Sequence, residues 1–214
     1  MNKPLALGVL VSGNGSNLQA ILDAIKTGHL NAQCLLVVSN RPDAFALERA
    51  KQAGVKTCFI DHRAQQSRED FDKLLAAQLI EAGVEWIALA GFMRVLSKSF
   101  LNTFPGRIVN IHPALLPAFP GVNAQQQAFD YGVKVTGCTV HFVDDGVDSG
   151  PIILQKAVPV LPDDTPEALK ARILEQEHVA LVEGLRLIAE GRIAASDGGR
   201  HVKILEHSPP ERTP

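Results

Sequence analysis

One alternation constrains this chain more than anything else in it. Through the first half, short apolar runs at residues 5–11, 34–38, 56–60, 85–90 and 107–111 take turns with segments 17–25, 44–53 and 71–82. In those segments the apolar residues recur every three or four positions. Short aliphatic runs read as strands and the 3.6-type segments as helices. A strand that reaches its parallel neighbour through a helix does so by a right-handed crossover. The expected architecture is therefore α/β, a mostly parallel sheet with helices on both faces. After Pro113 the texture changes. Residues 137–143 and 152–158 read as strands joined by only residues 144–151. That link is too short for a parallel crossover, so residues 137–158 are expected to form an antiparallel hairpin and the sheet to be mixed.

Residues 163–191 read as one long C-terminal helix, with Thr165 as N-cap, Pro166 at the first helical position and Gly191 at the stop. Leu169, Ile173, Leu181, Leu185 and Ile188 form its apolar stripe. We expect a single domain over residues 1–193 and a partly flexible extension over 194–214, with a short strand at 202–205 and a frayed end at 208–214. The apolar run at the start ends at Gly13, too short to span a membrane, and reads as the first strand rather than a signal peptide. A net charge of -2 offers no general attraction to nucleic acid or an anionic membrane, so an anionic substrate must be held by a local site. Cys34, Cys58 and Cys138 are far apart and unpaired in spacing, which argues against a disulfide framework or zinc knuckle. A reducing, cytoplasmic setting is expected.

Four places carry chemistry. Strand one runs into Ser12-Gly13-Asn14-Gly15-Ser16-Asn17 just before a helix. Backbone N–H groups exposed by small residues at a helix start make an anion cradle. A dinucleotide fingerprint fails here, because Leu18 occupies the third glycine position and Ser39-Asn40-Arg41 supplies no carboxylate for a ribose. A single phosphate fits better; a turn that merely needs glycine dihedrals is the plain alternative. Second, Asn110 and His112 stand two apart on a strand and so share a face, near the carboxyl end where open α/β sheets bind ligands. An amide and a protonated imidazole suit an oxygen that gains charge during attack on a carbonyl; a structural pair tying down the next loop is the alternative. Third, Asp144, Asp145 and Asp148 lie in the hairpin loop. They lack the glycine and distal glutamate of a calcium loop, so no metal is expected. Asp148 near His112 would keep the imidazole protonated. Fourth, counting by fours from Leu169 places Glu177 on the apolar stripe, where a carboxylate needs a donor, a cation or a ligand.

These segments together resemble a known family. Ser12-Gly-Asn-Gly-Ser-Asn-Leu-Gln-Ala20, Ala90-Gly-Phe-Met-Arg-Val-Leu96, Asn110-Ile-His-Pro113, Leu115-Leu-Pro117, Phe119-Pro-Gly121, His141-Phe-Val143, Asp148-Ser-Gly-Pro151 and Gln176-Glu-His178 are similar, in order, to the phosphoribosylglycinamide formyltransferases, folate-dependent enzymes of purine synthesis. The resemblance implies a Rossmann-like formyltransferase fold. It implies 10-formyltetrahydrofolate as co-substrate and glycinamide ribonucleotide as acceptor, with no metal, nucleic acid or membrane partner and a monomer or homodimer. Gly15, Ser16 and Asn17 would hold the ribonucleotide phosphate, and Glu177 would lie near the glycyl amine. Arg68, Met93, Arg94, Val95 and Leu96 would line the folate site with Asn110 and the 143–147 loop. Asn110, His112 and Asp148 would be catalytic. Leu174 departs from the family, which often has a polar residue there, as does Ala118-Phe119 in a loop that often carries a base. Two other readings stay open: a formyltetrahydrofolate hydrolase, in which water replaces the amine, and a non-catalytic module that binds a phosphorylated ligand.

Overall fold

The computed structural model describes residues 3–195 and 200–206; the expected frayed end lies outside them. The elements in chain order are β1 (Leu5–Val11), α1 (Ser16–Lys26), β2 (Ala32–Ser39), α2 (Phe45–Gln52), β3 (Thr57–Phe59), α3 (Arg68–Glu81), β4 (Trp86–Leu89), α4 (Lys98–Thr103), β5 (Ile108–His112), α5 (Ala124–Tyr131), β6 (Val135–Phe142), β7 (Ile152–Pro159), α6 (Pro166–Ala189), β8 (Ile193–Ala195) and β9 (Val202–Ile204). A 3-10 turn at His62–Ala64 precedes α3.

Seven strands form one sheet in the order β3-β2-β1-β4-β5-β6-β7. The five strands from β3 to β5 run parallel, as the strand–helix alternation requires. β6 then lies antiparallel to β5, and β7 antiparallel to β6, which is the hairpin expected over residues 137–158. All seven residues of β1 are buried, because helices cover both sides of it. α1, α2 and α6 share one apolar layer with that sheet; α3 and α4 share the other, around Phe71, Leu75, Leu79, Phe100 and Ile108.

α6 starts at Pro166, later than residue 163, because Asp164 has other work. Its carboxylate accepts Leu161 N and pairs with Arg172 at 2.6 Å, leaving Thr165 to cap Ala168 N at 3.2 Å. α6 approaches the sheet closely at Gly184, where a Cβ would stand 2.9 Å from Val140 Cγ1. That contact seats the buried face of the helix, including Glu177, against the strands. The expected strand at 202–205 is β9; it pairs antiparallel with β8, and His201 bridges to Ile152 beside β7. Two short helices, α4 and α5, have no counterpart among the expected elements. α5 buries only Ala124 and Ala128, too weak an apolar stripe to read.

Candidate active site

The sheet order reverses between β1 and β4: from β1 the chain winds outward through β2 and β3, then returns to β4 on the other side. Crevices at such switch points, outside the carboxyl ends of the strands, are where open α/β sheets bind ligands. A cavity of about 560 Å³ lies there, and Asn17, Met93–Leu96, Asn110, His112, Asp148 and Glu177 all line it. Asn110 and His112 come from the end of β5 and Asp148 from the β6–β7 loop. The elements that bring them together are 38 residues apart in sequence for the Asn110–Asp148 pair.

The geometry around Asp148 is specific. Its Oδ2 accepts the backbone N–H of Gly121 at 2.7 Å and lies 3.2 Å from His112 Nδ1. Its Oδ1 lies 3.4 Å from Asn110 Nδ2. The carboxylate reaches inward because Asp148 adopts a left-handed conformation, φ 51°, which Asp tolerates better than most side chains. Gly150 completes the turn: a Cβ there would collide with the Phe142 carbonyl. Asp144 braces the same loop by accepting Gly146 N and Ser149 Oγ. On its far side His112 presents Nε2 to the Phe119 carbonyl at 2.8 Å. A carbonyl and an ionised carboxylate only accept, so a ring carrying hydrogen on both nitrogens satisfies both partners.

His141, which the sequence presents only within the motif His141-Phe-Val143, is the fourth member of the cluster. The β5–β6 register places it directly opposite Asn110. Burial holds its pKa below the ordinary value, although the Phe142 carbonyl and Asp148 pull the other way. The neutral ring then has one consistent tautomer. Nδ1–H donates to the Phe142 carbonyl at 2.8 Å, and Nε2 accepts from Asn110 Nδ2 at 3.2 Å. This fixes which end of the Asn110 amide carries the hydrogens toward Asp148. The 3.7 Å approach of His141 Nε2 to Asp148 Oδ1 is therefore a contact and not an ion pair. The available signal was an imidazole in a strand whose other residues are small or apolar save Thr136 and Thr139.

The turn after β1 is held from three sides. Gly15 caps α1 with φ 78°, and a Cβ on it would lie 2.5 Å from Ala46 Cβ, so the glycine serves α2 packing as well as the turn. No side chain caps α1, and its first main-chain bond is Gln19 N to Gly15 O, so the N–H groups of the first turn are available. Arg49 of α2 grips the turn: Nε donates to Asn14 O at 2.9 Å and Nη2 to Asn14 Oδ1 at 3.0 Å. Ser12 ties the turn to the loop after β4. Its N–H donates to Gly91 O, its hydroxyl accepts Met93 N at 2.9 Å and donates to buried Asn40 at 2.6 Å. Arg49 and Asn40 carried no signal as site residues, and Ser12 none beyond its place at the head of the turn, because their partners come from other elements.

Glu177 is buried, as its place on the stripe predicts, and accepts Asn17 Nδ2 at 2.8 Å. Burial raises its pKa; the Asn17 bond and the Lys170 charge offset part of that rise. Asn17 thus gives a side-chain donor to Glu177, and the main-chain N–H groups of the turn with the Ser16 hydroxyl remain for a ligand. In the loop after β4, Met93 and Val95 are exposed and Leu96 is buried. The Arg94 guanidinium lies over the Phe71 ring at 4.7 Å. Buried Asp72 secures the loop's end by accepting Ser97 N. Arg68 is not among the side chains that line the cavity. It opens α3 behind the Ser67 cap and pairs with Glu69 at 3.4 Å. Among the described residues no group of three or more potential metal ligands occurs, and no helix is long and apolar enough to cross a membrane.

A cavity of this kind, with hydrogen-bond donors and a carboxylate gathered at the rim of a parallel sheet, marks an enzyme that works at a carbonyl carbon. Residues 6–185 match the formyl transferase family, and the chain belongs to it. It is 45% identical over 185 residues to the phosphoribosylglycinamide formyltransferase of Escherichia coli (strain K12), covering 86% of this chain and 87% of that protein. It is 49% identical over 187 residues to the trifunctional purine biosynthetic protein adenosine-3 of Drosophila melanogaster. That match covers 86% of this chain but only 14% of the insect protein. Among solved structures, glycinamide ribonucleotide transformylase 1 from Symbiobacterium toebii superposes with a TM-score of 0.93 at 52% identity, covering 96% of each chain.

Proposed function

We propose that the chain transfers the formyl group of 10-formyltetrahydrofolate to the glycyl amine of glycinamide ribonucleotide. The observation that carries this reading is one cavity lined by Asn110, His112 and Asp148 together with Asn17 of the turn, Glu177 and Met93–Leu96, in which both Asn110 and His112 lie within 3.4 Å of the Asp148 carboxylate. The turn suits the phosphate, and the apolar loop suits the flat folate. The names of the relatives in Escherichia coli and Symbiobacterium toebii support the same acceptor and the transfer of a formyl group. Arg68, at the start of α3, is assigned to the folate side by the family resemblance.

In the proposed reaction the neutral amine attacks the formyl carbon. A C–N bond forms as the carbonyl pair moves onto oxygen. Asn110 and doubly protonated His112 donate to that oxyanion. In the free enzyme Nε2 of His112 is engaged by the Phe119 carbonyl, so the oxyanion takes over from that carbonyl as acceptor. Asp148 retains its hold on Nδ1 and assists loss of the amine proton. Collapse breaks the bond to N10 of the folate, which takes a proton and leaves as tetrahydrofolate.

The test is the absorbance change on mixing the protein with 10-formyltetrahydrofolate, with and without glycinamide ribonucleotide. Acceptor-dependent loss of formyl-folate is expected. Loss at the same rate without acceptor would establish the hydrolase, and binding with no turnover the ligand-binding module.

A further inference from the structure

A phosphate entering this cavity meets an awkward electrostatic setting. The turn after β1 contributes no charged side chain, and Asp144, Asp148 and Glu177 all line the same cavity. Of the lysines and arginines that line it, Arg94 is occupied with the Phe71 ring in the loop after β4. The other is Lys170 of α6. It stands one turn before Leu174 and two turns before Glu177 on the same helix face. Lys170 is exposed and makes no hydrogen bond or ion pair among the described residues. Glu177, joined to Asn17 at the start of α1, fixes which end of the cavity this face of α6 borders.

We propose that Lys170 is the cation that holds the anionic group of the acceptor, so that discrimination for a phosphorylated over an unphosphorylated acceptor resides in α6 as much as in the turn. This rests on the activity proposed above. The main-chain N–H groups of the turn supply direction, and an ammonium group supplies the charge that the neutral turn lacks. Leu174 offers only an apolar surface between Lys170 and Glu177, so no other side chain on this face of α6 can take that part. Lysine suits the task as a flexible point charge that can follow the phosphate as the acceptor settles.

The experiment compares kcat/KM for glycinamide ribonucleotide and for the corresponding riboside, which lacks the phosphate, in the unsubstituted chain, Lys170→Met and Lys170→Arg. The ratio of the two is expected to fall about tenfold or more in Lys170→Met, as for loss of one charged hydrogen bond, and to survive in Lys170→Arg. Added salt should erode the preference for the phosphorylated acceptor in the unsubstituted chain and hardly at all in Lys170→Met. An unchanged ratio in Lys170→Met overturns the assignment. So does an equal loss for both acceptors, which would mean that Lys170 acts only by tempering Glu177. Failure of the activity reading shows separately, as absence of acceptor-dependent turnover in the unsubstituted chain, and would remove this assignment with it.

Discussion

The turn after β1 and the cluster at the end of β5 share one sheet edge and one cavity, yet they are built in opposite ways. The turn is local. Six consecutive residues, Ser12 to Asn17, carry its conformation, and neighbouring elements only brace it through Ala46, Arg49 and Asn40. The cluster is assembled. Asn110, Gly121, His141 and Asp148 come from a strand, a loop, the next strand and the hairpin loop, and each holds another in place. A local site tolerates change in its surroundings and fails when its own backbone is altered. An assembled site fails when any partner is lost, because its members act as a unit.

The largest expected effect tests the assembled half. Asn110→Ala, His112→Ala and Asp148→Ala should each lower kcat by about a hundred- to thousandfold with the fold retained. The Asn110→Ala/Asp148→Ala double variant should lose far less than the product of the two. Independent, multiplicative losses measured by steady-state kinetics would contradict the cluster as described.

Next comes the local half. Gly15→Ala places a Cβ both at φ 78° and against Ala46. It should cost about 1–3 kcal/mol in chemical denaturation and raise KM for the phosphorylated acceptor. KM for the folate should change little. A variant as stable as the parent would show that the turn and α2 are not coupled.

Glu177→Gln separates binding from stability. Burial raises the pKa of this carboxyl, so its contribution to folding is favourable below the unfolded-state value of 4.5 and is lost as pH rises through the folded value. At neutral pH the amide should raise Tm by about 2–4 °C, equivalent to about 1 kcal/mol, while the acceptor's KM worsens. A lower Tm at neutral pH would refute the account of Glu177 as a buried acid held at a cost.

The smallest effect belongs to His141. Its pKa is depressed by burial, so the native state prefers the neutral ring. The associated stability is complete above the unfolded-state value of 6.5 and declines as pH falls below it. Between about pH 7 and 5, His141→Asn should flatten that part of the stability curve seen by calorimetry, and an identical slope in the variant would assign it elsewhere.

Much of the fold was legible because it depends on periodicity. The parallel strands, the 137–158 hairpin, the Thr165 cap and the inward face of Glu177 all follow from spacing along the chain. α4 and α5 were not legible: six and eight residues with one or two buried positions leave no apolar stripe to detect. At the site, the residue types and the family motifs pointed to Asn110, His112, Asp148 and Glu177, which line one cavity, while Arg68 stands at the start of α3, paired with Glu69 and outside that lining. The roles of His141, Arg49 and Ser12 were hidden for a common reason. Each acquires its meaning from a partner at least 30 positions distant, and nothing along the chain announces such a pairing.

What the chain alone determined, then, is the alternation of strand and helix, the turn that opens α1 and the identity of the polar groups set into otherwise apolar elements. These are properties of neighbours within a few residues, where backbone geometry and burial dictate the pattern. What only the tertiary structure decided is which of those groups meet. The antiparallel return of β6 put His141 opposite Asn110, and the left-handed Asp148 closed the hairpin loop onto His112. Register and chain reversal are set by packing of the whole sheet, and side-chain hydrogen bonds shorter than about 3.5 Å depend on that packing to a fraction of their own length.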